Sequence, residues 1–176
     1  MDAGQFVNLD GYFAHMKDLV ELSPSYAMIP SDEKPFEINA NTRTVLVPAD
    51  FAKCAGVVGD NMCEIITFTV DRYFDYVDLA TTTICVQWKT PTSTGISHIG
   101  LRDLTTVSGK MRFGWPLTNK LTETAGNIVF AVKFFKTEAD KTVYVLNTTP
   151  ATIPIKDSLN LNSNDVIVEN TDDLFI

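Results

Sequence analysis

The sequence contains few of the residues from which enzymes and metal sites are usually built. It has only two histidines, His15 and His98, and three cysteines, Cys54, Cys63 and Cys85. No C-x-x-C pair is present, and no nucleophile-elbow or papain-like context surrounds a candidate nucleophile. Structural zinc requires closely spaced Cys and His ligands. We therefore expect no catalytic residues, no zinc and no cofactor. An odd number of widely spaced cysteines indicates free thiols.

The sequence also lacks positive charge and long apolar runs. Its 14 Lys and Arg residues against 22 Asp and Glu give a formal net charge of -8, and no basic stripe is formed. Such a chain repels phosphate backbones, which argues against nucleic-acid and anionic-membrane partners. No apolar run approaches the roughly 18 residues of a membrane span. Residues 1–20 show no secretory signal, so we expect the protein to be made and to remain in a cytosol.

Hydrophobic residues, in contrast, are abundant and alternate with polar ones. They make up 45% of the chain and include eleven Phe. In residues 64–70, Ile66, Phe68 and Val70 share one face and threonines the other. Residues 127–135 carry an apolar stripe on one face and a fairly apolar second face. Strands are predicted at residues 43–47, 64–70, 82–88, 96–101, 110–113, 127–135, 142–147 and 151–155.

These strands are joined by short turn-forming segments without a long helix between them. This pattern predicts an all-β fold, an antiparallel β-sandwich of about seven to nine strands, rather than βαβ units. The sandwich is expected to cover residues 41–156. Residues 1–40 are expected to form an extended N-terminal arm, and residues 157–176 an acidic C-terminal arm.

The two arms carry apolar residues that we expect to contact other subunits. Residues 11–22 have helical apolar spacing, and Pro24, Pro30 and Pro35 then exclude a regular element. The C-terminal arm is polar and acidic until it ends in an apolar tripeptide. The candidate interaction residues are Phe13, Tyr26, Leu174, Phe175 and Ile176.

Residues 71–79, DRYFDYVDL, have two interpretations. Asp71, Asp75 and Asp78 could gather calcium. Alternatively the segment is a corner between strands, in which aspartates cap backbone N–H groups and Arg72 pairs with a neighbouring acid. In that alternative the aromatic residues of the segment close the end of the sandwich.

Residues 113–117, FGWPL, also have two interpretations. Trp115 could stack on a sugar ring together with Tyr73 and Tyr76, which would make the chain a carbohydrate-binding module, with or without calcium. Alternatively Phe113 and Trp115 pack in or over the sandwich around a bend at Gly114.

Three segments together resemble a known group of proteins: ITFTVDRYFDYVDLATTTICVQW, KMRFGWPLT and AGNIVFAVKFF. The chain resembles small β-sandwich proteins encoded among the virion genes of phages and prophages of Gram-positive bacteria. It is also similar to the immunoglobulin-like N-terminal domain of the phage baseplate upper protein, in which a D-x-x-x-x-D-L corner joins two strands. The resemblance covers residues 38–156 and leaves out both arms. The long helical linker of the baseplate proteins is absent.

The resemblance implies an immunoglobulin-like sandwich located in the virion, which would be assembled in the host bacterial cytoplasm. Its expected partners are phage capsid or tail structural proteins, together with further copies of itself in a homo-oligomer. Capsid decoration, a head-fibre base and a tail or baseplate adaptor all fit this expectation.

Overall fold

The structure, a computed structural model, describes residues 9–22, 35–93, 97–101 and 105–159. Two β-sheets pack face to face. Sheet A contains five strands, in the spatial order β2 (Thr44–Leu46), β1 (Phe36–Asn39), β4 (Ile65–Asp71), β10 (Lys110–Pro116) and β9 (Thr105–Val107). Sheet B contains six strands, in the order β3 (Gly56–Val57), β13 (Ala151–Lys156), β11 (Gly126–Glu138), β7 (Thr83–Lys89) and β8 (Ser97–Leu101), with β12 (Lys141–Asn147) also paired to β11.

The remaining elements are small and lie around the two sheets. They are the hairpin strands β5 (Tyr73–Phe74) and β6 (Val77–Asp78), the helices α1 (Leu9–Leu22) and α2 (Ala49–Lys53), and a 3-10 turn at Leu79–Thr81. None of the helices in the described residues is long and apolar enough to cross a membrane.

The all-β prediction is confirmed, although the described residues form thirteen strands rather than seven to nine. The additional strands are short: β3, β5 and β6 have two residues each, β9 has three and β1 has four. Segments of two to four residues give too little alternation to be recognised as strands from the sequence. All eight predicted strands are present, with small shifts of their ends.

Aromatic rings fill the space between the sheets. The Phe68 ring lies 5.3 Å from Phe113, 5.7 Å from Phe36 and 6.1 Å from Phe130, measured between ring centroids. All four side chains are almost completely buried. Because β-strand side chains alternate between faces, the inward residues of β1, β4, β10 and β11 meet in one core.

The sandwich begins earlier in the chain than residue 41. β1 pairs in parallel with β4, with Phe36 opposite Phe68, and antiparallel with β2. The prediction that residues 1–40 form an arm is therefore wrong for residues 36–39. The structural reason is that Phe36 and Ile38 alternate with polar neighbours and contribute buried side chains to sheet A.

Helix α1 was predicted from its apolar spacing, and it covers the outer face of sheet B of its own chain. Tyr12, Phe13 and Met16 are buried there against Cys85 and Phe135. The Phe13 ring lies 4.8 Å from that of Phe135. The prediction that Phe13 contacts another subunit is therefore wrong, because this side chain is already buried within its own fold.

Candidate interaction surface

The corner after β4 is stabilised by a bidentate ion pair. Arg72 Nε and Nη2 donate to Asp78 Oδ1 and Oδ2 at 3.0 and 2.9 Å. Asp78 Oδ1 also accepts the Ala80 N–H at 3.0 Å and so begins the 3-10 turn. The hydrogen bond from Arg72, and then that from Ala80, lower the pKa of Asp78. The predicted corner, with a capping aspartate and a paired arginine, is confirmed.

Two tyrosines of this corner project into solvent instead of closing the sandwich. Tyr73 is 57% exposed and Tyr76 is 83% exposed. The Tyr76 ring meets the ring of Tyr144 on β12 edge to face at 6.4 Å, and the Arg72 guanidinium lies 5.3 Å from the Tyr73 ring. Only Phe74 packs against the core. The expectation that all three rings close the sandwich end is therefore wrong for Tyr73 and Tyr76.

The alternative calcium site is not formed. Among the described residues, no three His, Cys, Asp or Glu side chains come together as metal ligands. Asp78 is bound to Arg72, and Asp71 Oδ1 lies 3.6 Å from Lys110 Nζ. Asp75 lies in the exposed β5–β6 turn with φ 51°. The suggestion that Asp71, Asp75 and Asp78 hold calcium is wrong for this conformation, because Asp71 and Asp78 pair with two different basic residues and the three carboxylates do not come together.

Trp115 is a core residue. It has no exposed surface, and its ring lies 5.3 Å from Phe130 and 6.0 Å from Trp88. A sugar cannot stack on a ring that is covered on both faces. The suggestion that Trp115 stacks on a glycan is therefore wrong, and the alternative interpretation as a packed tryptophan is confirmed. The spacing of Met111, Phe113 and Trp115 already places them on one strand face.

Several predicted interaction residues lie outside the described residues. These are Tyr26 in the N-terminal segment and Leu174, Phe175 and Ile176 in the C-terminal segment. Their interaction with another subunit stays a prediction.

Sequence reasoning missed the outer edge of β12. Among the described strands β12 pairs only with β11, so its second edge has no strand partner there. At one end of that strand, Asp10 Oδ1 of α1 accepts the Thr142 N–H at 2.7 Å. Val143 and Val145, on the face opposite Tyr144, remain 43% and 40% exposed. An apolar edge strand without a second strand partner is a site for adding another strand.

A second group of residues missed by sequence reasoning lies under α1. Lys133 Nζ lies 5.2 Å from the Phe13 ring and 5.7 Å from the Tyr12 ring. Gln87 Nε2 donates to the Tyr12 hydroxyl at 2.9 Å. Burial raises the pKa of Tyr12 and of Cys85 to about 12 each, and it lowers the pKa of Lys133. The thiol is buried, and this group of residues packs the helix against sheet B.

None of the family models searched matches this chain, and no curated protein matches it significantly.

Proposed function

We propose that the chain is a non-enzymatic structural protein of a phage virion, an immunoglobulin-like module that attaches to capsid or tail proteins. The single observation that carries the proposal is the edge of β12 that has no strand partner among the described residues, beside the exposed Tyr76 of the corner. Virion modules of this kind dock through edge strands and loop ends. The sequence resemblance supports the same class. Capsid decoration, a head-fibre base and a tail or baseplate adaptor remain the alternatives for its position.

The strand order supports the immunoglobulin-like part of this proposal. An immunoglobulin-like sandwich has strands A-B-E-D in one sheet and G-F-C, extended by C′, in the other. Naming β1, β4, β7, β8, β9, β10, β11 and β13 successively as A, B, C, C′, D, E, F and G gives that order in both sheets. The parallel pairing of β1 with β4 departs from the constant-type pattern.

Purified particles test the proposal. We expect the chain to remain with particles of the encoding phage or prophage through density-gradient purification, in a fixed ratio to the major capsid or tail protein, measured by quantitative mass spectrometry. A host protein of similar size and charge is the control for adsorption. Absence of the chain from particles that are complete and infectious would contradict the proposal.

Carbohydrate binding is the second candidate, and the exposure of Tyr73 and Tyr76 favours it. Exposed aromatic rings can stack on sugars, and the paired Arg72 and Asp78 beside Tyr73 offer polar groups. On a glycan array, Tyr76→Ala should reduce any signal, whereas Leu46→Ala, an exposed residue of β2 in sheet A, should not. The absence of binding by the unmodified chain would eliminate this candidate.

A further inference from the structure

The edge of β12 that has no strand partner among the described residues carries apolar side chains on both of its faces, as a strand that accepts a further strand would. Val143, which lies at a β-bulge, and Val145 are exposed on one face, and Tyr144 and Leu146 are on the other. Lys136 of β11 lies opposite Tyr144 and therefore on the Tyr144 face. A strand added to this edge would meet apolar side chains on both faces and, on the Tyr144 face, the ammonium group of Lys136, whose Nζ lies 3.8 Å from Glu138 Oε1.

The chain itself contains a segment with the complementary pattern, outside the described residues. Residues 165–169 read DVIVE, and residues 160–176 contain four acids and no Lys or Arg. In an extended conformation, Val166 and Val168 would share one face, and Ile167 would share the other with both acids. With Ile167 beside Tyr144, the acids would lie on the Lys136 face and the valines would continue the face of Val143 and Val145.

Chain length favours a neighbouring copy over the chain's own tail. Two points along β11 mark the distance that the tail would have to cover. β13 ends beside Gly126, the partner of Ile155, and Val145 of the acceptor edge is paired with Phe135, nine residues further along β11. That separation is about 30 Å at roughly 3.3 Å per residue. Residues 156–166 span about 36 Å when fully extended. The chain would also have to turn back on itself, which uses about four of these residues. The remainder spans roughly 23 Å, too short to reach the acceptor edge of the same copy.

We infer that the β12 edge of one copy binds residues 165–169 of another copy as an added β-strand. The inference rests on the proposed function, because it identifies how copies associate in the assembly. Each copy would carry one donor segment and one acceptor edge. Such a heterologous contact generates rings or open chains. Asp10 would limit the acceptor edge, since it already occupies the Thr142 N–H.

Sedimentation velocity of the full chain over a wide concentration range tests the inference. The average mass should rise with concentration. Ile167→Asp removes the donor and Val145→Glu the acceptor, and each should weaken association at least about tenfold, equivalent to about 1.4 kcal/mol. Val143→Glu repeats the acceptor test at a second exposed position. Leu46→Glu on β2, where the side chain is 65% exposed, is the matched edge control and should have no effect.

Mixing the two defective variants separates association between copies from folding back within one copy. The Val145→Glu protein retains an intact donor and the Ile167→Asp protein an intact acceptor, so an equal mixture should form 1:1 dimers. A monomeric wild-type chain, unchanged association of the variants, or a mixture that stays monomeric would each overturn the inference. Normal incorporation of both variants into particles would overturn it and leave the proposed function intact. Self-association of a chain that is absent from particles would contradict the proposed function and leave the association through β12 intact.

Discussion

The two faces of sheet B are both apolar, but they are covered by different partners. The inner face packs against sheet A, where Phe130 contacts Phe36, Phe68 and Trp115 at centroid distances of 5.3–6.2 Å. The outer face is covered by one helix, through a few side chains around Phe135. We therefore expect the inner face to unfold only with the whole sandwich, and the outer face to become exposed when α1 detaches.

Loss of an aromatic ring from the inner face should have the largest effect. Phe130→Ala should lower the free energy of unfolding by about 3–5 kcal/mol, because it leaves a cavity where four aromatic residues meet. Urea denaturation followed by tryptophan fluorescence measures this change. Val129→Ala, a neighbouring substitution on the opposite and partly exposed face, should cost less than about 1 kcal/mol. Equal costs would remove the distinction between the two faces.

Weakening the helix contact should expose the outer face without unfolding the sandwich. Phe13→Ala removes the ring packed on Phe135, so the buried Cys85 thiol should react with a thiol reagent at least about tenfold faster, equivalent to about 1.4 kcal/mol of easier opening. Cys54 and Cys63 are exposed and are replaced by serine in both proteins. Asp18→Ala, on the exposed side of α1, is the control.

The outcome at Cys85 decides whether α1 is a separate unit. If Phe13→Ala leaves the labelling rate unchanged, or if Cys85 becomes reactive only when the whole sandwich unfolds in urea, then α1 and the core unfold together and the proposed difference between the faces is wrong.

The sequence predicts those parts of the fold in which the alternating pattern is long. Residues 127–135 are apolar on both faces, and this was already a sign that a second layer must cover the outer face. The pattern could not show which segment covers it, because the apolar stripe of α1 fits a neighbouring subunit as well as its own sheet. β1 was missed because four residues after three prolines give too little periodicity.

The candidate site was less predictable than the fold. The Arg72–Asp78 pair followed from local spacing, since both residues belong to one corner. The open edge of β12 did not, because an edge is defined by which strands pair with which, and this depends on contacts distant in the sequence. The local pattern likewise could not show that Tyr73 and Tyr76 are exposed.

Acid should have the smallest effect, and it should act on the corner. Hydrogen bonds from Arg72 and from the Ala80 N–H lower the pKa of Asp78 below its ordinary value. The stabilisation from this carboxylate is therefore fully present above the unfolded pKa and is lost as pH falls through the folded one. Thermal unfolding of Asp78→Asn should differ from wild type at pH 5–7 and converge with it towards pH 2. Asp75→Asn is the charge-matched control.

A difference that is the same at every pH would contradict this assignment, because it would mean that Asp78 acts through its shape and not through its charge.

The pH dependence also provides a test of the docking of α1. The backbone hydrogen bond from Thr142 lowers the pKa of Asp10, so the carboxylate of Asp10 favours the docked helix at neutral pH and loses that effect in acid. The labelling rate of Cys85 should therefore rise at low pH in the wild-type protein more than in an Asp10→Asn variant measured in parallel. Both rates are first corrected for the slower reaction of any thiol in acid. If both proteins changed alike, the link between Asp10 and the docking of α1 would be refuted.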